Sequence, residues 1–488
     1  MDRVVLPGLA LSAALVAVLT GALLAVSPVA AVGLVAVAGV VVVVWRRPAT
    51  AAYLIIGLTP TLAGIDRGRL IPALRPNEGL AVFLTGILVV RFLFRYRPGT
   101  RLRIQLNPIE VTLVALAVTS SVLPLAWMHL VGRPIIADDI SYALVMWKFL
   151  GVYGIVRAAV HTQAEVRRCL LAAVAAAGLL GTLGILQSLD MLGVRSLLLT
   201  YWAPFGYADA LSIPRGSSTL ALPAATADVL IFSLAIAVGL LWKRQHNLYL
   251  TLFLAGASVV CVVGVFAAGE FSCALGLVVA IVCLTAGLRR LDLLRYAPVG
   301  LGVALIAAWP AVSHRLVGFQ SASGWPNSWI VRWYNLSTYF WPDLFSGQNV
   351  LFGVRPSARV VVPTQGTGYV WIESGYTWLL WGGGIPLFAA FVALVWVSLP
   401  RLWRQTEGLR DESSVAALAA FTAITAIVAM MIFDPHLTYR GAADLLFSLL
   451  ALTFVKSPDI TESTESPTKA SRGRMMELSD VLPTGAAR

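Results

Sequence analysis

Charged residues are scarce. Asp, Glu, Lys and Arg make up 12% of the 488 residues, where a soluble domain carries roughly 25%, so a water-soluble globular chain is excluded. The four cysteines, Cys169, Cys261, Cys273 and Cys283, fall in or at the edge of apolar runs without Cys-x-x-Cys spacing. They indicate neither a disulfide framework nor a zinc site. Lysine is nearly missing, at four residues, and the net charge of +12 comes from arginines scattered between apolar runs. No nucleic-acid-binding module accompanies them, so nucleic acid is not an expected partner, and the charge is better explained by the positive-inside bias of membrane proteins.

What is present is apolar: 58% hydrophobic residues and a mean hydropathy of +0.82. A hydrocarbon core about 30 Å thick needs about 20 apolar residues per helix. The spacing predicts an all-α, polytopic transmembrane bundle of about fourteen helices, near 4–26, 28–45, 49–65, 79–96, 108–131, 142–160, 169–189, 218–242, 248–267, 271–288, 296–312, 375–399, 415–433 and 442–455. The first run is longer than a signal h-region and is followed at once by another, so it reads as a retained helix. Threading with the amino terminus inside gathers "RR" 46–47, "RYRPGTRLR" 95–103, "RR" 167–168, "KR" 243–244, "RRLDLLR" 289–295 and "RLWR" 401–404 on the cytoplasmic side. Both termini are then cytoplasmic. The transmembrane domain is expected over 1–456, and 457–488, which lacks apolar periodicity, as a disordered cytoplasmic tail.

Two expected outer segments are long, 190–217 and 313–374, and long loops on a rigid scaffold are where chemistry is usually carried. In "GWPNSWIVRWYNLSTYFW", Trp329, Trp333, Leu336 and Phe340 recur at three or four residues, the stripe of a short helix lying in the membrane interface. Arg332 lies at the edge of that stripe, either as a functional cation or as a snorkelling arginine in an aromatic belt. In "WIESGYTWLLWGGGIP", Glu373 heads a run that is otherwise aromatic, aliphatic, glycine or small polar. It is placed either as a base at a low-dielectric boundary or as an acid complementing a helix dipole. "FDPHLTYRGAADL" sets Asp434, His436, Arg440 and Asp444 on a short outer hairpin, while "ADDIS" (Asp138, Asp139) reads as a helix start and Lys148 as a buried ion pair or cavity wall.

Four stretches, "RAAVHTQAEVRRCLLAAVAAAGLLGTLGILQ", "PRGSSTLALPAATADVLIFSLAIAVGLL", "VRWYNLSTYFWPDLFSGQNVLFGV" and "ESGYTWLLWGGGIPLFAAF", cover roughly 150–400. In order, spacing and sidedness they resemble the O-antigen ligase and polymerase family, multipass glycosyltransferases that move glycan from a polyprenyl-diphosphate carrier at the outer face. The resemblance implies that Arg215 is the family's outer arginine before a helix and Arg332 the arginine of its large loop. Where ligases carry a histidine, this chain has Glu373 and Ser374, which favours a polymerase over a ligase.

The expectation is a metal-independent glycosyltransferase of the plasma membrane, without a cofactor, whose partners are a polyprenyl-diphosphate-linked glycan donor, a glycan acceptor and membrane lipids. Its catalytic residues are expected to be Glu373 as base and Arg332 and Arg215 as clamps on the leaving diphosphate, since guanidinium binds phosphate through paired N–H donors. Arg355, Arg440 and His436 are expected to bind substrate, and Arg359 to be solvated. The alternative is a lipid-linked oligosaccharide flippase or other polytopic transporter, against which stand the asymmetric long loops and the lack of an internal repeat.

Overall fold

A backbone in an apolar medium has no water to bond, so apolar runs fold into helices that satisfy their own N–H and C=O groups. The chain is accordingly an all-helical membrane bundle, in a computed structural model that describes residues 28–68, 70–71, 74–95, 106–202, 213–243, 247–317, 325–362 and 368–455. The run expected over 4–26, the tail 457–488 and part of each expected outer segment lie outside these residues.

The helices are α1 (Pro28–Arg46), α2 (Ala49–Leu62), α3 (Pro76–Arg95), α4 (Pro108–Thr119), α5 (Val122–Leu130), α6 (Ala137–Ala143), α7 (Val145–Ala159), α8 (Gln163–Ser188), α9 (Val194–Tyr201), α10 (Pro223–Trp242), α11 (Leu248–Ala268), α12 (Phe271–Gly287), α13 (Ala297–Ala307), α14 (Trp309–Val317), α15 (Asn327–Asn335), α16 (Trp341–Leu344), α17 (Asn349–Phe352), α18 (Gly375–Gln405), α19 (Glu412–Met430) and α20 (Ala442–Leu452). Among the described residues, 8 spans are long and apolar enough to cross a membrane, or up to 9 with one bent pair. They are α3, α4 with α5, α6 with α7, α8, α10, α11, α18 and α19. The other expected runs become shorter helices (α1, α2, α12 and α20) or bend. The run 296–312, expected as one span, is broken, with Leu291–Ala307 and Trp309–Val317 bent by 85°. Pro310 has no N–H to return to Ile306, and Ala308 leaves helical geometry at φ −102, ψ 22.

The bundle is centred on α10, whose apolar window is 89% buried, as expected for a helix that is hydrophobic on every side. Beside it α20 is buried throughout yet has only 11 residues, roughly 16 Å at 1.5 Å per residue. Its N-terminus is satisfied locally: Asp444 accepts from Gly441 N at 2.8 Å and pairs with Lys148 Nζ at 3.1 Å. Lys148 is therefore one half of a structural ion pair.

The large loop is held down at several points. Asp139, wholly buried, takes both arms of the Arg355 guanidinium, at 2.9 and 2.7 Å, and Asp138 pairs with Arg359. Arg359 also lies over the Tyr369 ring at 4.2 Å, so it is anchored and not solvated as expected. A two-stranded antiparallel hairpin, β1 (Arg359–Val361) with β2 (Tyr369–Trp371), adds a small strand element that the all-α expectation lacked. The Gly-Gly-Gly of "WIESGYTWLLWGGGIP" has a steric role: Gly384, at φ +67, breaks α18, and a Cβ there would meet Leu351 O at 2.4 Å. The α17 turn packs into that break.

The expected interfacial stripe is only partly realised. Leu336–Phe340 winds as one π turn after α15, which shifts the facing of later residues. Leu336 and Phe340 are buried while Trp333 is exposed.

Candidate functional site

The ends of α8, α11 and α19 and the starts of α10, α12, α18 and α20 share one face with the large loop, here called the loop face. The segment bearing Arg215 runs across it, pinned by buried Gln187. The Gln187 amide donates to Ser217 Oγ at 3.0 Å and its carbonyl accepts from Ser218 N at 2.8 Å. Thr226 donates to Ser217 O at 2.7 Å and Thr219 to Pro60 O at 3.0 Å. Ser218 (φ 49) and Ala221 (φ 55) sit in the left-handed region, strain that persists because these bonds over-determine the turn.

Gly269 ends α11 at φ +66, which turns the chain so that Glu270 faces Arg215. Glu270 bridges two cations: Oε1 pairs with Arg215 and Oε2 with Arg315 Nη2 at 2.7 Å. Burial, and then the neighbouring charges of Arg315 and Arg332, push the Arg215 guanidinium down to about 10, so it remains a cation at neutral pH.

The second half of the cluster comes from the large loop and the hairpin after α19. Arg332 Nη2 donates to Asp434 Oδ2 at 2.9 Å, and its Nε lies 3.8 Å from Glu373 Oε2. Glu373 accepts no hydrogen bond among the described residues. Burial raises it to about 6, with Arg332 and Arg315 acting against that rise and Asp434 adding to it. The carboxyl thus changes charge just below neutral pH, near the value a general base needs.

Behind this pair, His436 is fully buried, and its Nδ1 lies 2.8 Å from Asp228 Oδ2. His436 Nε2 is buried without a hydrogen-bond partner among the described residues. Asp228, Cys273 and His436 form the one group of three metal-type ligands found among the described residues, their atoms within 4.8 Å. A structural zinc site uses four. Tyr439 stacks edge-on against His436 at 4.9 Å, and burial drives its hydroxyl well above the ordinary range.

The structure forms two ion groups, Arg332 with Asp434 and Glu373, and Arg215 with Arg315 through Glu270, the charge of Arg315 being felt at Glu373. It places the other expected residues elsewhere. Arg355 is taken up by Asp139. Arg440 donates to Ala63 O at 3.2 Å, at the end of α2. His436 lies behind Asp434 in the protein interior, engaged by Asp228. Glu270 and Asp228 were not singled out from the sequence, although a carboxylate inside "AAGEFS" or "TADVL" is a signal, since an acid within an apolar run needs a partner. Three arginines face three carboxylates, of which Glu373 accepts no hydrogen bond among the described residues. In comparisons with known proteins the chain matches no family model and no curated protein.

Proposed function

We propose that this protein is a membrane glycosyltransferase that transfers or polymerises glycan from a polyprenyl-diphosphate carrier, a polymerase in preference to a ligase. What supports the reading is a pair of neighbouring ion groups, Arg215 and Arg315 on Glu270, and Arg332 between Asp434 and Glu373, with Glu373 accepting no hydrogen bond among the described residues. The arginine-rich face opposite is cytoplasmic on the positive-inside rule, which makes the loop face extracytoplasmic at the plasma membrane.

In the proposed reaction the acceptor hydroxyl oxygen attacks the anomeric carbon of the donor and its proton passes to Glu373. The bond from that carbon to the diphosphate oxygen breaks, and the diphosphate leaves with the electron pair. Charge builds on the leaving group as the bond breaks, so fixed guanidinium groups hold it more tightly in the transition state than in the ground state. Glu270 and Asp434 keep the arginines placed and partly neutralised until the anion arrives.

The buried Asp228–His436 pair favours a second reading, a transporter, because ionisable pairs within a bundle also serve ion coupling. One experiment separates the two. Purified protein in detergent, without sealed compartments, is given lipid-linked glycan, and product length and carrier release are followed. Longer glycan with released carrier diphosphate supports transfer. No product in detergent, with movement of the lipid across sealed vesicles, supports the transporter and removes the enzyme reading.

A further inference from the structure

The face opposite the candidate site has a cavity of its own. α18 runs from the Glu373 end to Gln405, and α19 starts at Glu412, so both carry the chain between the two faces. Where they meet the ends of α7 and α20, a cavity of ≈ 510 Å³ opens, within the range of small-ligand pockets, about 300–1,000 Å³. Its walls include Arg157, Arg401, Arg404 and Arg410.

Two features distinguish this cavity from a merely basic surface. It has an aromatic floor: the Arg401 guanidinium lies 4.2 Å and that of Arg157 5.3 Å from the Phe454 ring centroid, which fixes both planes. The charge inside is also only partly compensated, four arginines against two acids. Of the two lining acids, Asp411 is used as the N-cap of α19, accepting from Ser414 N at 2.8 Å. Glu407 is turned to Arg289 at 3.3 Å. Arg157 has Glu110 only at 3.8 Å, and among the described residues no carboxylate pairs with Arg401, Arg404 or Arg410. Beside them Gln405 Oε1 is buried with no hydrogen-bond partner among the described residues, an acceptor suited to a hydroxyl or ammonium donor on an incoming headgroup.

We propose that this cavity is a phosphate-binding site that takes the headgroup of an anionic phospholipid. Paired N–H donors suit a phosphate diester, the aromatic floor suits the glycerol carbons, and the position at helix ends is where headgroups lie. Basic pockets between transmembrane helices bind lipid headgroups through this chemistry.

The test uses the purified full-length chain in detergent, stripped of lipid and then titrated with phosphatidylglycerol, phosphatidylcholine or inorganic phosphate. Retained molecules are counted by native mass spectrometry. Wild type is expected to retain phosphatidylglycerol over phosphatidylcholine, and Arg401→Gln with Arg404→Gln to retain it at least about tenfold more weakly. Arg295→Gln, on the same face but outside the cavity, is expected to behave as wild type. Arg401→Lys keeps charge and loses the planar fork, so it is expected to fall between the two, and it serves if the double variant elutes as aggregate. Equal retention of the two lipids by wild type, or full retention by every Arg401 variant, overturns the proposal. Displacement of phosphatidylglycerol by millimolar inorganic phosphate overturns the lipid assignment in favour of a soluble phosphate.

Discussion

Arg332 is shared unequally between two acids: it donates to Asp434 at 2.9 Å and leaves Glu373 at 3.8 Å. Asp434 is thereby held by a direct hydrogen bond, and Glu373 keeps its lone pairs. On the proposed reading that asymmetry gives Asp434 the task of positioning Arg332 and Glu373 that of the base.

Glu373→Gln keeps the shape of the side chain and removes its basicity. Turnover is expected to fall about a hundredfold or more with donor binding largely intact, measured as kcat and KM on lipid-linked glycan. Near-normal turnover would reduce Glu373 to a helix-end acid.

The pH profile carries a sign. A base works when deprotonated, so with Glu373 near 6 turnover should rise as pH increases through about 6 and level off above it. Asp434 raises Glu373 and Arg332 lowers it, so Asp434→Asn should move this limb toward acid. A limb that moves toward base, or stays in place, would contradict the assignment.

Glu270→Gln leaves Arg215 and Arg315 facing each other without their shared carboxylate. Losing one partner of a largely buried pair costs about 3 kcal/mol, here read as a lowered Tm in detergent. Added inorganic diphosphate should restore part of that loss if the arginines bind an anion, and should do nothing if Glu270 only ties α12 to α14.

Asp139→Asn removes the buried charge that takes the Arg355 fork. The expected loss is roughly 3–5 kcal/mol, with earlier proteolytic cutting in the large loop than in wild type. Arg67→Lys, at a more exposed pair with Glu78, should change neither measurement by more than about 1 kcal/mol.

Sidedness is tested by cysteines at exposed positions of the two faces. Ser346→Cys on the loop face should react with an impermeant thiol reagent from outside intact cells, and Glu407→Cys should react only after permeabilisation. The opposite pattern would move the arginine–carboxylate cluster to the cytoplasm and end the glycosyltransferase reading.

The sequence by itself determined that the chain is a helical membrane protein, because 58% hydrophobic residues in long runs leave the backbone no other way to satisfy its hydrogen bonds. It also pointed to Arg332 and Glu373, since a charge at the edge of an apolar run stands out in one dimension. Which runs stay straight and which bend was decided by the tertiary structure: 296–312 is one apolar run, yet Leu291–Ala307 and Trp309–Val317 are bent by 85°. The pairing of charges was likewise invisible in sequence. Arg355, Arg359 and Arg332 look alike on one loop, but Asp139 and Asp138 take the first two and Asp434 the third. Their partners lie a hundred or more positions away, and only the packing of helices brings such distant groups within reach of a charge.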